Sequence, residues 1–434
     1  MTEDVSRYKH FCQFRSTIRS ATDTLIVGID IAKDRHHAFF GTPLGKTLWR
    51  RLIFDNNKAG YDKLITQVNS LCAQHGLSKI VFGLEPTGNY HKPLASWLIQ
   101  KEFMVVLVSG KAVSDNRDLL NGRWDKNDTK DSANVADLVG RGKCQFYDNP
   151  GPEIMALRNL LSLRKRLKRE EHSIRMRIRN SLLSKFFPEL LSKFFPEMDC
   201  HWGSALEENL AIIKWYLDPK KIAATDFDIF VRHVTKTDRG IRQTRRLKAI
   251  YDAAGISVGM PVTASDLFEA NMLVEKLGQI RAGISETMEQ IKKISSSMQE
   301  DKPLQSIPGF GPYIAALVLS VIGNPFRFNN RKQVIRLSGF DLNANRSGRT
   351  SNSAVPVISK RGNGDLRYAL YQAALIASYH NEHFRRIYHR MLKGREAERG
   401  IRTKMRVKLA AKMLIIAWTL MKKNEVFDPA YLSS

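Results

Sequence analysis

Residues 22–150 alternate short apolar runs with helical patterns, and this alternation constrains the fold more than any other feature of the sequence. The run Thr24–Ile31 has the length and the β-branched composition of a buried strand. Further strands are predicted at His37–Phe40, Leu48–Phe54, Lys79–Leu84 and Phe103–Val108, and helices at Ala59–Cys72 and Pro93–Lys101. A meander of three strands followed by alternating helices and strands predicts a mixed sheet covered by helices, an α/β domain.

The rest of the chain is predicted to be all-α. A length of 434 residues favours two or three domains. We predict an N-terminal extension over 1–21, the sheet domain over 22–150, a helical or coiled-coil region over 151–300 and a mainly helical domain over 301–434. The coiled-coil signal is the seven-residue spacing of Leu160, Leu167 and Ile174. The segment Leu182–Glu189 is repeated without change as Leu190–Glu197, and no role is assigned to this duplication.

The charge of the chain predicts a polyanionic partner. Lys and Arg number 69 against 43 Asp and Glu, which gives a net charge of +26. Nucleic acid is the leading partner, because binding to phosphates releases counterions. A membrane is disfavoured, since the longest apolar runs, Tyr313–Gly323 and Met413–Met421, are shorter than the ~20 residues that span a bilayer. The four cysteines have no CxxC spacing, and the chain is expected to be cytoplasmic and reduced.

Several basic and glycine-containing segments are candidates for nucleic-acid binding. The stretch 164–179 combines eight basic residues with two acidic ones, although a solvated helix face remains an alternative. The turn Ser306–Pro312 precedes an apolar helix, so its amides can face a phosphate, or it serves only to pack a helix-hairpin-helix-like element. The candidates are Arg164, Lys165, Arg166, Lys168, Arg169, Arg175, Arg177, Arg179, Gly309, Gly311, Arg346, Arg349, Lys360 and Arg361, with a basic tail at 402–408.

Four acidic residues stand where a metal-dependent nuclease needs them. Asp30 lies at the end of an otherwise apolar strand, where a carboxylate is costly unless it is paired or binds a metal. Glu85 ends the fourth predicted strand, and Asp128 and Asp131 share one face of a predicted helix. Carboxylate oxygens suit Mg²⁺, and such ions stabilise the attacking and leaving oxygens of phosphoryl transfer.

Each carboxylate also has a simpler interpretation. Asp128 is a typical helix N-cap, Asp131 is favoured by the helix dipole in a first turn, and Glu85 before a proline is a turn residue. The strand order and the basic charge together favour the metal cluster over these separate roles.

Five motifs in order identify a family resemblance. They are Gly28–Lys33, Gly83–Tyr90, Lys126–Ser132, Ile307–Gly311 and Ile358–Asn363. The chain resembles the DEDD transposases of the IS-one-ten and IS-eleven-eleven insertion sequences, the bridge-RNA-guided recombinases, from about Leu25 to its end. The order of strands and helices is similar to the RNase H-like fold. Asn127 and Ser132 depart from the residues that are usual in the family and leave the four acidic residues intact.

The resemblance implies both a mechanism and partners. It implies a RuvC-like domain in which Asp30, Glu85, Asp128 and Asp131 hold Mg²⁺, and a C-terminal transposase domain whose nucleophile is the serine of a Ser-Gly step, here Ser347. The residues by themselves do not choose Ser347 over Ser351 or Ser353, because a serine in such a loop is usually a turn residue. Donor and target duplex DNA, a structured guide RNA and a homo-oligomer are the implied partners.

Two other functions are consistent with parts of the sequence. A junction-resolving nuclease would use the four carboxylates and a water nucleophile, without the serine. A non-catalytic nucleic-acid-binding protein would need only the positive charge. Strand exchange is preferred, because only this function uses both the carboxylates and the serine motif.

Overall fold

The structure is a computed structural model that describes residues 3–121, 128–188, 206–236, 240–343 and 357–432. The chain divides into two compact units. The first comprises Met1–Gly151 and Asn324–Asn329, and the second comprises Pro152–Gly323 and Asn330–Ser434. The segments 151–300 and 301–434, which we predict separately from the sequence, therefore both fall mainly in the second unit.

A six-stranded sheet forms the centre of the first unit. Its strands are β1 (Thr24–Asp30), β2 (Arg35–Gly41), β3 (Thr47–Asp55), β4 (Lys79–Leu84), β5 (Met104–Leu107) and β6 (Gln145–Phe146). Their spatial order is β3-β2-β1-β4-β5-β6. β1, β4 and β5 are parallel, whereas β2, β3 and β6 pair antiparallel with their neighbours. This mixed sheet confirms the predicted α/β class and is consistent with an RNase H-like domain; the two-residue β6 is too short for the apolar pattern to predict.

Helices cover both faces of this sheet. They are α1 (Glu3–Thr17), α2 (Lys58–His75), α3 (His91–Gln100), α4 (Gly110–Asn121) and α5 (Asp128–Gly140). Alternate residues of β1, such as Leu25 and Val27, pack in one core with α2 and α3. Ile26 packs in a second core, with α1, α4 and α5. α1 lies in the N-terminal extension, where the sequence pattern predicts no helix or strand.

The second unit is helical. Helix α6 (Pro152–Arg177) continues through a π-helical turn (Ile178–Leu183) and a last turn (Ser184–Phe186). The following helices are α7 (Leu206–Trp215), α8 (Pro219–Ala224), α9 (Phe227–Val234), α10 (Ile241–Ala254), α11 (Ala264–Ser296), α12 (Asp301–Gln305), α13 (Pro312–Ile322), α14 (Arg331–Ser338), α15 (Gly364–His380), α16 (Glu382–Leu392) and α17 (Ile401–Lys423). Their number confirms the predicted helical class. Ile174 of the seven-residue repeat is buried in the core shared with α11.

Two short features complete the second unit. The first copy of the duplicated segment contributes Phe186 and Phe187, both fully buried, whereas the second copy lies outside the described residues. Strands β7 (Leu342–Asn343) and β8 (Val357–Ile358) form a separate antiparallel pair. Among the described residues, no helix combines the length and the apolar character that crossing a bilayer requires.

Candidate active site

Asp30 and Glu85 end two neighbouring parallel strands at the same edge of the sheet. Ile29 of β1 is opposite Leu84 of β4. The pairing extends one residue further, because the Glu85 amide donates to the Ile29 carbonyl oxygen at 3.3 Å. Strands in a sheet are about 5 Å apart, so the two acidic residues are neighbours across the carboxyl edge.

Both acidic residues belong to the face of the sheet that α5 covers. Side chains alternate between the two faces along a strand. Gly28 and Gly83 contact residues of α5. Asp30 and Glu85 follow these glycines by two positions and therefore continue the same face. The sequence pattern alone places each residue at a strand end, whereas the register places both on one surface.

The backbone of α5 lies directly against β1. A Cβ atom on Gly28 would lie 2.2 Å from the Ser132 carbonyl oxygen and 2.5 Å from the Ala136 nitrogen. At the other end of α5, a Cβ atom on Gly140 would lie 3.3 Å from the Ile26 side chain. The helix therefore begins near the carboxyl edge and runs back across the sheet, which carries its first turn toward Asp30.

Asp131 lies in this first turn and is buried, with 2% of its surface exposed. A carboxylate in such a position is costly unless other groups compensate its charge. The adjacent Ser132, whose carbonyl group contacts Gly28, is 1% exposed. Asp128 is the first residue of α5, three positions earlier, and its side chain lies outside the described residues.

The carboxylate of Glu85 lies against the backbone where α4 begins. A Cβ atom on Gly110 would lie 2.7 Å from the Glu85 Oε1 atom. A larger residue at 110 would require the Glu85 carboxylate to move. Nothing in the local sequence indicates this contact, because the two residues are 25 positions apart and come from different elements.

Two histidines of β2 stand beside the carboxyl edge and are absent from the sequence-based candidates. His37 is the antiparallel partner of Asp30. His36 is fully buried on the opposite face, where its Nδ1 atom accepts a hydrogen bond from the Ala32 amide at 3.3 Å. Burial lowers the pKa of His36. The His36 ring accepts this hydrogen bond at the turn that follows Asp30. The signal in the sequence is the His36-His37 pair at the start of the second predicted strand.

The acidic residues have the chemistry of a divalent-metal site. Carboxylate oxygens are hard ligands of the kind that Mg²⁺ prefers, and Asp30, Glu85 and Asp131 approach one edge from two strands and a helix. Within the ranges that the structure describes, no three His, Cys, Asp or Glu side chains are grouped closely enough to hold a metal ion. The side chain of Asp128, the fourth predicted ligand, is not in those ranges.

In the sequence, the predicted nucleophile Ser347 falls between the strands β7 and β8. Leu342 is opposite Ile358, and Asn343 is opposite Val357. Ser347, Arg346 and Arg349 lie outside the described residues, as do the alternative serines at 351 and 353. The two ends of the segment that carries Ser347 are thus held together by backbone pairing.

The Ser359–Asn363 motif anchors β8 to the end of α14. The Ser359 hydroxyl donates to Asp341 Oδ1 at 2.6 Å, and the Ser359 amide donates to the Asp341 carbonyl oxygen at 2.7 Å. A Cβ atom on Gly362 would lie 2.5 Å from the Gly339 nitrogen. Lys360 and Arg361 are exposed between these contacts. The motif is a structural clamp that leaves two cations at the surface.

The two glycines before α13 differ in their surroundings. Gly309 has a φ of +89°, and a Cβ atom there would lie 2.5 Å from the Ala373 carbonyl oxygen of α15. Gly311 is the N-cap of α13, and a Cβ atom there would meet no atom within 4 Å. Packing therefore explains Gly309, whereas the backbone at Gly311 stays open to a ligand.

The basic side chains of α6 divide into buried, paired and exposed groups. Arg175 is 1% exposed, so it does not lie on the nucleic-acid-binding surface that the charge pattern predicts. Arg164 stacks on the Tyr313 ring at 4.1 Å.

Three cations of α6 pair with carboxylates: Lys165 with Asp365 at 2.7 Å, Lys168 with Glu171 at 2.7 Å and Arg177 with Glu269 at 3.3 Å. Arg166 and Arg169 are exposed, and Arg179 is half-buried. The surface available to phosphates is smaller than the eight basic residues suggest.

Comparison with protein families assigns both parts of the chain to transposases. Residues 27–188 match the model of the DEDD transposases of IS110. Residues 301–389 match the model of the IS116/IS110/IS902 transposase family. No curated protein matches the chain. The two matched regions contain Asp30, Glu85, Asp128, Asp131 and Ser347, and the chain belongs to the IS110 family of DEDD transposases.

Proposed function

We propose that this insertion-sequence transposase cuts and rejoins DNA through the hydroxyl group of Ser347, assisted by Mg²⁺ held by Asp30, Glu85, Asp128 and Asp131. The observation that supports the proposal most directly is the position of Asp30 and Glu85 at adjacent strand ends, beneath the helix that carries Asp131. The family match extends this support, since a DEDD transposase depends on divalent metal in general.

The proposed cleavage step exchanges one phosphoester bond for another. The Ser347 Oγ atom forms a bond to a DNA phosphorus as the bond from that phosphorus to a deoxyribose oxygen breaks. The serine proton passes to an acidic side chain of the site, and the leaving oxygen takes up a proton to become a hydroxyl. A serine hydroxyl is a weak nucleophile until a neighbouring group activates it. The phosphoserine conserves the bond energy, so a second DNA strand can reverse the exchange.

The fold of the first unit places the acidic residues at one edge of the sheet. A bound divalent ion supplies stabilisation of the charge on the attacking and leaving oxygens. Asp30 and Glu85 are positioned by the strand pairing, Glu85 also contacts Gly110, and Asp131 is buried in the first turn of α5. Because the described acidic side chains are not grouped closely enough to hold the ion together, they would have to approach one another when the ion binds. We propose that the carboxylates and Ser347 meet when DNA is bound, from one copy of the chain or from two.

The proposed partners follow from charge and from the family. DNA is the substrate of a transposase, and a guide RNA that selects the target and a homo-oligomer belong to the proposal. Exposed cations at Arg166, Arg169, Lys360 and Arg361 are proposed contacts to phosphates. Such contacts position a nucleic acid without reading its sequence. Sequencing of RNA that co-purifies with the chain tests the guide, and recovery of no discrete RNA would contradict it.

The test of the nucleophile compares Ser347→Ala with Ser351→Ala. Wild-type protein and Ser351→Ala are expected to form a covalent adduct with labelled DNA in Mg²⁺, detected in a denaturing gel. Ser347→Ala is expected to form none while it still binds DNA. DNA cleavage by Ser347→Ala without an adduct would instead support a water nucleophile, as in a junction-resolving nuclease. Binding with steep salt dependence and no cleavage by the wild type would contradict both enzymatic functions.

A further inference from the structure

A cleft of about 430 Å³ on the first unit is lined by four cations. Arg15 and Arg19 come from the end of α1 and the 3-10 turn after it, and Arg141 and Lys143 come from the connection between α5 and β6. Ser109 lies at the start of α4, and no acidic residue is among the described residues that line the cleft. Like charges that line one cleft repel each other, and an anion in the cleft relieves this repulsion.

Three of the four cations have no ion pair among the described residues. Arg141 pairs with Asp137 at 3.1 Å. Arg15 lies 5.7 Å from the centre of the Phe11 ring, and Arg19 donates from Nε to the Arg141 carbonyl oxygen at 3.1 Å. Arg15, Arg19 and Lys143 are exposed and carry their charge into the cleft without neutralisation by a carboxylate.

The N-terminal extension is packed firmly enough to form one wall of this cleft. Phe11 and Ile18 are 4% and 1% exposed. The Tyr8 ring meets the Phe146 ring edge-on at 5.4 Å. Arg7 donates to the Tyr147 carbonyl oxygen at 3.2 Å. Helix α1 is therefore a fixed part of the sheet domain, although it precedes residue 27, where the family match begins.

The cleft lies close to the candidate active site. Gly110, the first residue of α4, contacts the Glu85 carboxylate, while Ser109 and Ala112 of the same turn line the cleft. Leu107 of β5 pairs with Leu84, the residue before Glu85, and also with Gln145 at the rim of the cleft. The start of α4 therefore contributes to both the cleft and the surroundings of Glu85.

We infer that this cleft binds the phosphodiester backbone of the DNA strand that is processed at Asp30, Glu85 and Asp131. The inference rests on the proposed function, because it is the position beside Glu85 that selects the substrate strand as the occupant. Arginine side chains suit this role, since a guanidinium group donates several hydrogen bonds to phosphate oxygens in a fixed plane. The N-terminal extension, which has no assigned role in the sequence, would then be part of the DNA-binding surface.

The test measures binding of the full chain to labelled DNA without divalent metal, so that cleavage does not contribute. Arg15→Ala/Arg19→Ala removes the two cations of one wall of the cleft. Lys143→Ala removes a cation from the other wall and leaves the Arg141–Asp137 ion pair in place. Arg50→Ala/Arg51→Ala is the matched control, because it removes two exposed arginines from β3 at the opposite edge of the sheet. Circular dichroism checks that each variant is folded.

The cleft variants and the control are expected to differ in both affinity and salt dependence. Log K falls as log salt rises, and each lost phosphate contact reduces the steepness of this fall by about 1. Arg15→Ala/Arg19→Ala is therefore expected to reduce the steepness by about 2 and to weaken DNA binding about tenfold or more. A slope and affinity equal to those of the control would overturn the inference. So would loss of RNA binding with DNA binding unchanged, which would assign the cleft to an RNA. The proposed function is tested separately by the adduct assay: if it is wrong, the wild-type chain forms no covalent adduct with DNA through Ser347.

Discussion

Gly28 and Gly83 are directly opposite each other in the parallel pair of β1 and β4, and both lie against α5. A Cβ atom on Gly83 would lie 2.6 Å from the Val139 side chain, and one on Gly28 would meet the Ser132 backbone at 2.2 Å. Because neither glycine has a side chain, the helix packs directly on the strands at this point. The position of Asp131 relative to the strand ends therefore depends on two residues that carry no functional group.

Gly28→Ala is expected to destabilise the chain and displace α5. Overpacking of a close contact costs about 1–3 kcal/mol, and here the neighbouring atoms are helix backbone, which yields little. Urea denaturation measures the loss. Gly278→Ala is the control, because a Cβ atom there meets no atom within 4 Å and alanine gains up to about 1 kcal/mol over glycine inside a helix. An unfolding free energy for Gly28→Ala equal to that of the wild type would show that the contact with α5 is looser than described.

Asp131→Asn is expected to abolish most DNA cleavage while leaving the fold intact. The amide has almost the same shape as the carboxylate but lacks the negative charge that a divalent ion needs. Loss of one preorganised electrostatic group typically lowers a rate by about 10²–10³-fold. Cleavage rates at saturating Mg²⁺ provide the measurement. Asp115→Asn is the control, since Asp115 is exposed on α4 and pairs only with Lys111 at 3.1 Å among the described residues. Equal rates for both variants would remove Asp131 from the site.

The two glycines before α13 are expected to respond differently to alanine. Gly309→Ala forces a left-handed backbone on an L-residue, which costs about 1–2 kcal/mol, in addition to the clash with α15. Gly311→Ala is expected to cost less than about 1 kcal/mol, since its φ of −86° suits any residue. Thermal unfolding of the two variants measures the difference. Equal destabilisation would contradict the assignment of Gly309 to packing.

Stability is expected to fall as the pH drops below about 6.5, in part because of His36. Burial lowers the pKa of His36, so the unfolded chain takes up a proton before the folded chain does. The stabilisation from His36 is complete above its pKa in the unfolded chain. It is lost as the pH falls toward its lower pKa in the folded chain, at up to about 1.4 kcal/mol per pH unit. His36→Asn, whose amide oxygen can still accept from Ala32, is expected to reduce this slope. Denaturation midpoints measured between pH 7 and pH 5 test this expectation, and His75→Asn, at an exposed histidine, is the control. A pH dependence of stability in His36→Asn equal to that of the wild type would contradict it.

The sequence by itself determined the class of each region and the order of the elements. Apolar runs with β-branched residues predicted β1, β4 and β5 to within one residue at each end, because burial on both faces requires an apolar strand. The partly exposed β2 and β3 were predicted one or two residues too short at each end. Asp30 was identifiable for the same reason, since a charge inside such a run needs an explanation. The sequence also predicted a turn at Gly309 before a helix. It did not predict the contact with α15 that requires glycine there.

Only the tertiary structure decided which residues meet. The contact of Glu85 with Gly110, the pairing of Asp30 with His37 and the cationic cleft each join segments that local periodicity treats separately. The burial of Arg175 likewise depends on the helices around α6, because a charge pattern does not distinguish a solvated face from a packed one. Periodicity reports the environment of one element, whereas a site depends on the register between strands and on how closely a helix approaches them.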